Sequence, residues 1–413
     1  MNPASRQWLT RAQPATIAAA AALVRGALPH AVLISGPPAV GKTTLAEDIA
    51  TGLLCLATDP AERPCRQCRG CRLVAAGNHP DLHHLAPEGP GGQIVIGDSG
   101  RASPRGVRNL VGELAYLPVE GGHRVAIVEH ADRMNEDAQN ALLKTLEEPP
   151  PAVTLILCAD EQDRLLPTVR SRCVQLRVAP LGTRAIEELL AELSLADAPA
   201  AARLARIAGG RPGLAIAYAR SAEAVMIRDE IARSLLDLLG APSATRLTTG
   251  RELIERASAL DSALRPVLVP DQAAGGAAGR GKGRGATGRR SPLAADPIES
   301  GGDNDEGEPA DEAAGPARRP AAERRRAVLA LFGIWRELAL DLAIAGLGGR
   351  AEIRDPALLD DLLDAAAGVD PQAVGQFLVR LDRLAELVEG NAGPELALDV
   401  LILAWPRAAD RAA

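Results

Sequence analysis

The stretch "AVLISGPPAVGKTTLAEDIATGLL", Ala31 to Leu54, decides the fold. Its first five residues are mostly apolar, with β-branched Val32 and Ile34, and they read as a short buried strand. Gly36-Pro37-Pro38-Ala39-Val40-Gly41-Lys42-Thr43 then fits G-x-x-x-x-G-K-[ST] in full, and a helical pattern follows. Strand, glycine loop and helix is the setting in which that motif holds phosphate, because loop N–H groups and the helix N-terminus converge on an anion. In that role Gly36 and Gly41 shape the loop and Lys42 reaches the β- and γ-phosphates. Thr43 ligates Mg²⁺, and Thr44 completes the candidate nucleotide-binding set. The expected ligand is ATP or ADP with Mg²⁺. A loop that keeps the shape and binds nothing is the alternative.

Working outward, "VAIV" (Val125–Val128) and "VTLILC" (Val153–Cys158) are further short apolar runs, each followed by turn residues. Near-continuous apolar strands separated by helices predict an α/β core with a parallel sheet covered on both faces. A helix is predicted from Asp137 to Glu148, with Ala138, Ala141, Leu142, Thr145 and Leu146 on one face. Pro149, Pro150 and Pro151 end it. From about Leu181 the strand signal disappears and helical patterns run to about Val267. The expected organisation is a nucleotide-binding core over 1–180, a small helical domain over 181–243, and a second all-α domain over 244–413. About 270–322 interrupts the last of these with almost no large apolar residues, a basic block (Arg280 to Arg290) and an acidic one (Asp296 to Glu312). Such a segment buries too little surface to offset its ordering entropy and reads as a disordered insert.

The 413 residues are 47% hydrophobic but only 2% aromatic, so the interior has to be aliphatic. The scarcity of rings argues against a single-strand nucleic-acid platform, which stacks bases on aromatics. The net charge of -7 supplies no general field toward DNA. The N-terminal "MNPASRQWLTRAQ" lacks the apolar core of a signal peptide, and no long uncharged apolar run predicts a membrane span. The expectation is a cytoplasmic protein, where disulfides are rare, so the six cysteines need another role. Cys55, Cys65, Cys68 and Cys71 follow C-x9-C-x2-C-x2-C, which can complete a tetrahedral Cys₄ zinc site. Four thiolates leave no open position for water, so the expected role is structural; free surface thiols are the alternative. Cys158 lies in a strand and reads as core.

After the third strand comes "ADEQDRLLPTVRSRC", ending in Ser171-Arg172-Cys173. An Arg in a loop past a strand of such a sheet can be a surface ion-pair partner or an arginine finger aimed at a neighbour's phosphates. The phosphate loop, the four cysteines, "NALLKTLEEPP" (Asn140 to Pro150) and "SRC" together resemble one family, the AAA+ clamp-loader subunits of bacterial DNA polymerase III. The specific motifs cover roughly Pro29 to Ala219. "GIWRELALDL" and "NAGPELALDVLIL" resemble the family's collar more weakly. The resemblance implies a RecA-like ATPase core, a helical lid and a collar. It also implies a hetero-oligomeric ring with γ/τ and δ subunits, acting through the complex on the sliding clamp and primer-template DNA.

Two positions depart from the hydrolysing members. Those carry Asp-Glu at the end of the second motif strand, where this chain has Glu129-His130, and a lid Arg, where "GGRPGLA" places Gly213. Glu129 remains a candidate magnesium ligand, directly or through water. His130, with an ordinary pKa of about 6.5, is a poor substitute for a carboxylate that activates water. The resemblance therefore implies a stator-type subunit that binds ATP without efficient turnover and lends Arg172 to an adjacent ATPase. A γ/τ-type ATPase with Glu129 as the catalytic acid is the second reading.

Overall fold

The computed structural model describes residues 8–11, 13–26, 29–88, 92–97, 105–120, 122–268, 320–390 and 392–408. The segment read as a disordered insert lies outside the described residues, apart from its last few positions. The first half contains α1 (Pro14–Arg25), β1 (Ala31–Ser35), α2 (Lys42–Leu53), α3 (Arg69–Ala75), β2 (Leu82–Leu85) and α4 (Val107–Leu114). It continues with β3 (Arg124–Val128), α5 (Glu136–Glu147), β4 (Val153–Ala159), α6 (Pro167–Arg170) and β5 (Val174–Arg177).

All strand pairs are parallel, in the order β2-β3-β4-β1-β5. Every residue of β1, β3 and β4 is buried, because alternate residues feed opposite layers. Ala31 and Leu33 pack with α4 and α5 through Leu110, Leu114, Leu142 and Leu146. Val32 and Ile34 pack with α1 and α2 through Val24, Leu45 and Ile49. The predicted sandwich of helices on both faces of a parallel sheet is therefore present. β1 lies between β4 and β5, so the loop leaving it opens beside the carboxyl end of β4, the usual ligand position in such sheets.

Local sequence explains the helix ends. Asn135 caps α5 by accepting from the Ala138 N–H at 2.9 Å, with Glu136 and Asp137 in the first turn. The helix then stops before Pro149. Cys158 is buried in β4, as expected.

The second half is helical: α7 (Thr183–Glu192), α8 (Ala198–Ile207), α9 (Pro212–Arg220), α10 (Ala222–Asp237), α11 (Ser243–Leu268), α12 (Ala321–Gly346), α13 (Leu359–Ala366), α14 (Pro371–Glu389) and α15 (Pro394–Ala404). Its buried residues form one continuous cluster from Ile186 to Trp405. The scarce rings are concentrated here. Trp335, Phe377 and Trp405 meet at centroid separations of 4.6–5.5 Å, and the Trp405 indole N–H donates to the Leu235 carbonyl at 2.9 Å. Among the described residues, no helix is long and apolar enough to cross a membrane.

Candidate functional site

Gly41 precedes α2 with φ +99° and ψ 25°, a left-handed conformation that favours glycine, and so lets the loop turn directly into the helix. Gly36 leaves β1 with its N–H on the Ala159 carbonyl at 3.3 Å. Thr43 and Thr44 occupy the first turn of α2, half-buried. Lys42 is buried, and its three ammonium donors are all engaged: Gly36 O at 2.8 Å, Pro37 O at 2.7 Å and Asp160 Oδ1 at 2.5 Å. The phosphate loop expected from Gly36, Gly41, Lys42 and Thr43 is thus formed as a loop closed around its own lysine.

Asp160, just past the end of β4, is the acid that sequence reasoning missed. His130 Nδ1 lies 3.3 Å from its second oxygen, and its own N–H donates to Asp132 Oδ1 at 3.1 Å. Burial alone would raise this carboxyl. The His130 hydrogen bond and the Lys42 ammonium outweigh that and hold it at about 2. Asp132 is pushed upward, first by burial and then by the Asp160 charge. His130 reaches this position in a left-handed conformation, φ +48° and ψ +51°. An acid abutting the strand beside the phosphate-loop strand was the available signal, in "VTLILCAD".

Glu129 directly follows β3. Its N–H donates to Leu85 O at 2.8 Å and its carboxylate lies 3.4 Å from His84 Nδ1. Burial, and to a lesser degree the Glu129 charge, raise the Glu47 carboxyl on α2, so the end of β3 and the phosphate-loop helix share one acidic neighbourhood. Over the loop sits the segment at Trp8–Thr10. Trp8 is buried against the α1–α2 layer. The Thr10 N–H and hydroxyl both donate to Asp48 Oδ2, at 2.8 and 2.7 Å.

The second half reaches the same loop. Gly213, on the first turn of α9, donates its N–H to the Ala39 carbonyl at 3.0 Å, and a Cβ at 213 would stand 3.0 Å from that oxygen. No side chain at this position projects toward the phosphates.

Cys55, Cys65, Cys68 and Cys71 converge, with all four sulfurs within 4.8 Å of one another. The Cys65–Cys71 and Cys55–Cys68 sulfur pairs are 3.9 Å apart. Tetrahedral thiolates about 2.3 Å from zinc are about 3.8 Å apart, so the donor set fits that ion. Backbone N–H groups of Leu56, Cys65, Cys68 and Cys71 point at these sulfurs, as thiolates require. Burial opposes ionisation of Cys68, but the Cys71 and Leu56 N–H groups and neighbouring thiols bring it down to about 6. Arg66, inside the knuckle with φ +60°, pairs with the same Asp48 that anchors Thr10.

Arg172 lies just past α6, with its side chain 34% exposed. It donates to Glu147 Oε1 at 2.7 Å and Thr168 O at 2.9 Å, both on the α5–α6 side of the core. Its hydrogen-bond partners include none of the phosphate-loop residues.

A parallel sheet, a glycine loop of phosphate-loop pattern between β1 and α2, and a cysteine knuckle define a phosphate-loop-type α/β core. Residues 13–182 match the family described as "DNA polymerase III, delta subunit". The chain is 42% identical over 186 residues to the DNA polymerase III subunit delta' of Pseudomonas aeruginosa, covering 44% of this chain and 53% of that protein. It is 38% identical over 189 residues to the Escherichia coli subunit of the same name, covering 46% and 54%. It is also 34% identical over 188 residues to the Haemophilus influenzae subunit tau/gamma, covering 44% and 26%. The recognition made from the motifs is borne out: the core resembles delta-prime subunits of the clamp loader. The chain spans about half the length of the delta-prime relatives it matches.

Proposed function

We propose that the chain is a delta-prime-type stator subunit of a DNA polymerase III clamp loader. It grips a nucleotide without turning it over efficiently and presents Arg172 to the ATP of a neighbouring γ/τ-type subunit. The observation that carries this is the state of the β3 end. The position that would hold the water-activating carboxylate is His130, whose ring is turned onto Asp160. Loss of an activating base costs about 10²–10⁴ in rate. Gly213 removes a second source of charge stabilisation at the lid.

Arg172 suits action in trans. Its pair with the half-exposed Glu147 is a surface ion pair, typically worth about 0–1 kcal/mol, so a neighbour's phosphate can recruit it at little cost. In this reading the core ends near residue 180, the lid covers 181–243 and the collar begins at 244. Zn²⁺ is structural on the four cysteines, and ATP or ADP with Mg²⁺ sits on Gly36–Thr44 with Glu129 nearby. The partners are γ/τ and δ subunits in a cytoplasmic ring, with the sliding clamp and primer-template DNA engaged through the complex.

The measurement that tests it is phosphate release by the isolated chain beside the reconstituted loader. The isolated chain is expected to show little turnover. Arg172→Ala is expected to leave assembly intact while lowering loader ATPase by about 10³-fold at the site it serves. Turnover by the isolated chain at the level of a competent AAA+ ATPase would favour the γ/τ-type reading, which the 34% identity to a tau/gamma subunit keeps as the second possibility.

A further inference from the structure

We infer that the phosphate loop is a diphosphate site: Asp160 stands where Lys42 would meet a γ-phosphate, so the pocket takes a nucleoside diphosphate in preference to a triphosphate. This rests on the reading that the loop holds a nucleotide at all.

An ammonium has three donors, and here two go to loop carbonyls and one to Asp160. The carbonyls of Gly36 and Pro37 are neutral and can yield to a phosphate oxygen. The Asp160 carboxylate is different, because it carries charge and is tethered on both oxygens and at its backbone N–H. Lys42 holds one oxygen, His130 the other, and Asp132 ties the backbone beneath it. In a phosphate loop the lysine spans the β- and γ-phosphates while backbone N–H groups cradle the α- and β-phosphates. A γ-phosphate therefore enters beside a fixed negative charge at the lysine's outer side. The cradle for the inner phosphates, built from the loop and the N-terminus of α2, is untouched.

Among the described residues, the lid side offers no offsetting charge at position 213. The first turn of α9 docks on Ala39 through the bare backbone of Gly213, so no lid guanidinium reaches the outer phosphate. His130 already faces Asp160. The site thus keeps its grip on two phosphates, while Gly213 and His130 give the third no cationic support.

Calorimetric titration of the full chain with ADP and with the non-hydrolysable β,γ-imido analogue of ATP, in fixed excess Mg²⁺, tests this. ADP is expected to bind about tenfold or more tightly than the analogue. The isosteric Asp160→Asn removes the charge and is expected to bring the two affinities within about threefold, mainly by strengthening the triphosphate. Equal affinities in the unaltered chain, or an unchanged ratio in Asp160→Asn, would overturn the inference while leaving nucleotide binding in place. Absence of binding by both ligands to both proteins would remove the nucleotide reading and this inference together.

Discussion

Asp160 and Lys42 are separated by 118 positions, yet they form the contact that governs the phosphate loop. The folded Asp160 carboxyl sits near 2 against an ordinary 3.8. A depressed carboxyl stabilises the fold fully above its unfolded value and loses that contribution as pH falls through the folded one. The His130 hydrogen bond and the Lys42 ammonium together should therefore contribute about 2 kcal/mol above pH 4, a contribution that drains away between about pH 4 and pH 2. Urea unfolding of the native chain and Asp160→Asn should show this difference at pH 7 and little of it near pH 2.5. An equal gap at both pH values would count against the charged Asp160 contacts with His130 and Lys42. At this scale the motif residues were legible, because a phosphate loop is contiguous and its chemistry is local. Asp160 was harder to read: its place just after an apolar strand was visible, but the lysine it meets lies 118 positions away.

Elements differ in how plainly they announce themselves. β1, β3 and β4 are apolar throughout because both faces are covered, and they appear where the sequence placed them, to within a residue. The edge strands escaped notice. β2 is "LHHL" and β5 is "VQLR", four residues each, half-covered or largely exposed, so neither shows a continuous apolar run. The cysteine knuckle has little core of its own, since only Gly70 and Cys71 of α3 are buried. Stripping zinc with a chelator should therefore unfold it selectively. Hydrogen exchange is expected to rise over residues 55–75 while β1, β3 and β4 stay protected, with one zinc per chain released into solution. Because Arg66 pairs with Asp48, the Thr10 anchor should also loosen. Unaltered exchange in the loop after metal loss would refute a structural zinc.

At the scale of the whole molecule, α7–α15 share one apolar interior crossed by an ionic network. Asp355 accepts from Arg203 at 3.1 Å and Arg228 at 2.9 Å, Arg203 also binds Asp229 at 2.7 Å, and Arg211 reaches Glu337 on α12 at 2.6 Å. Arg211 also directly precedes α9, whose Gly213 N–H donates to the Ala39 carbonyl. Asp341 on α12 is a weak point. It is 3% exposed, one oxygen has no partner, and burial lifts its carboxyl to about 6 despite nearby Arg354. A raised carboxyl penalises the fold where the unfolded chain is ionised, so the penalty is full above about pH 6 and gone below about pH 4. Asp341→Asn should raise stability at pH 7.5 by about 1–3 kcal/mol, with the gain shrinking towards pH 4. A loss of stability at pH 7.5 would show that the carboxylate is needed. The chain by itself determined the strand–loop–helix core, the four sulfurs and the change to an all-helical second half, because each is written in neighbouring residues with a fixed period or spacing. Only the tertiary structure decided that Lys42 meets Asp160, that Gly213 rests on Ala39 and that the helices merge into one interior. Those contacts join residues far apart in sequence, and long-range packing alone brings them within reach.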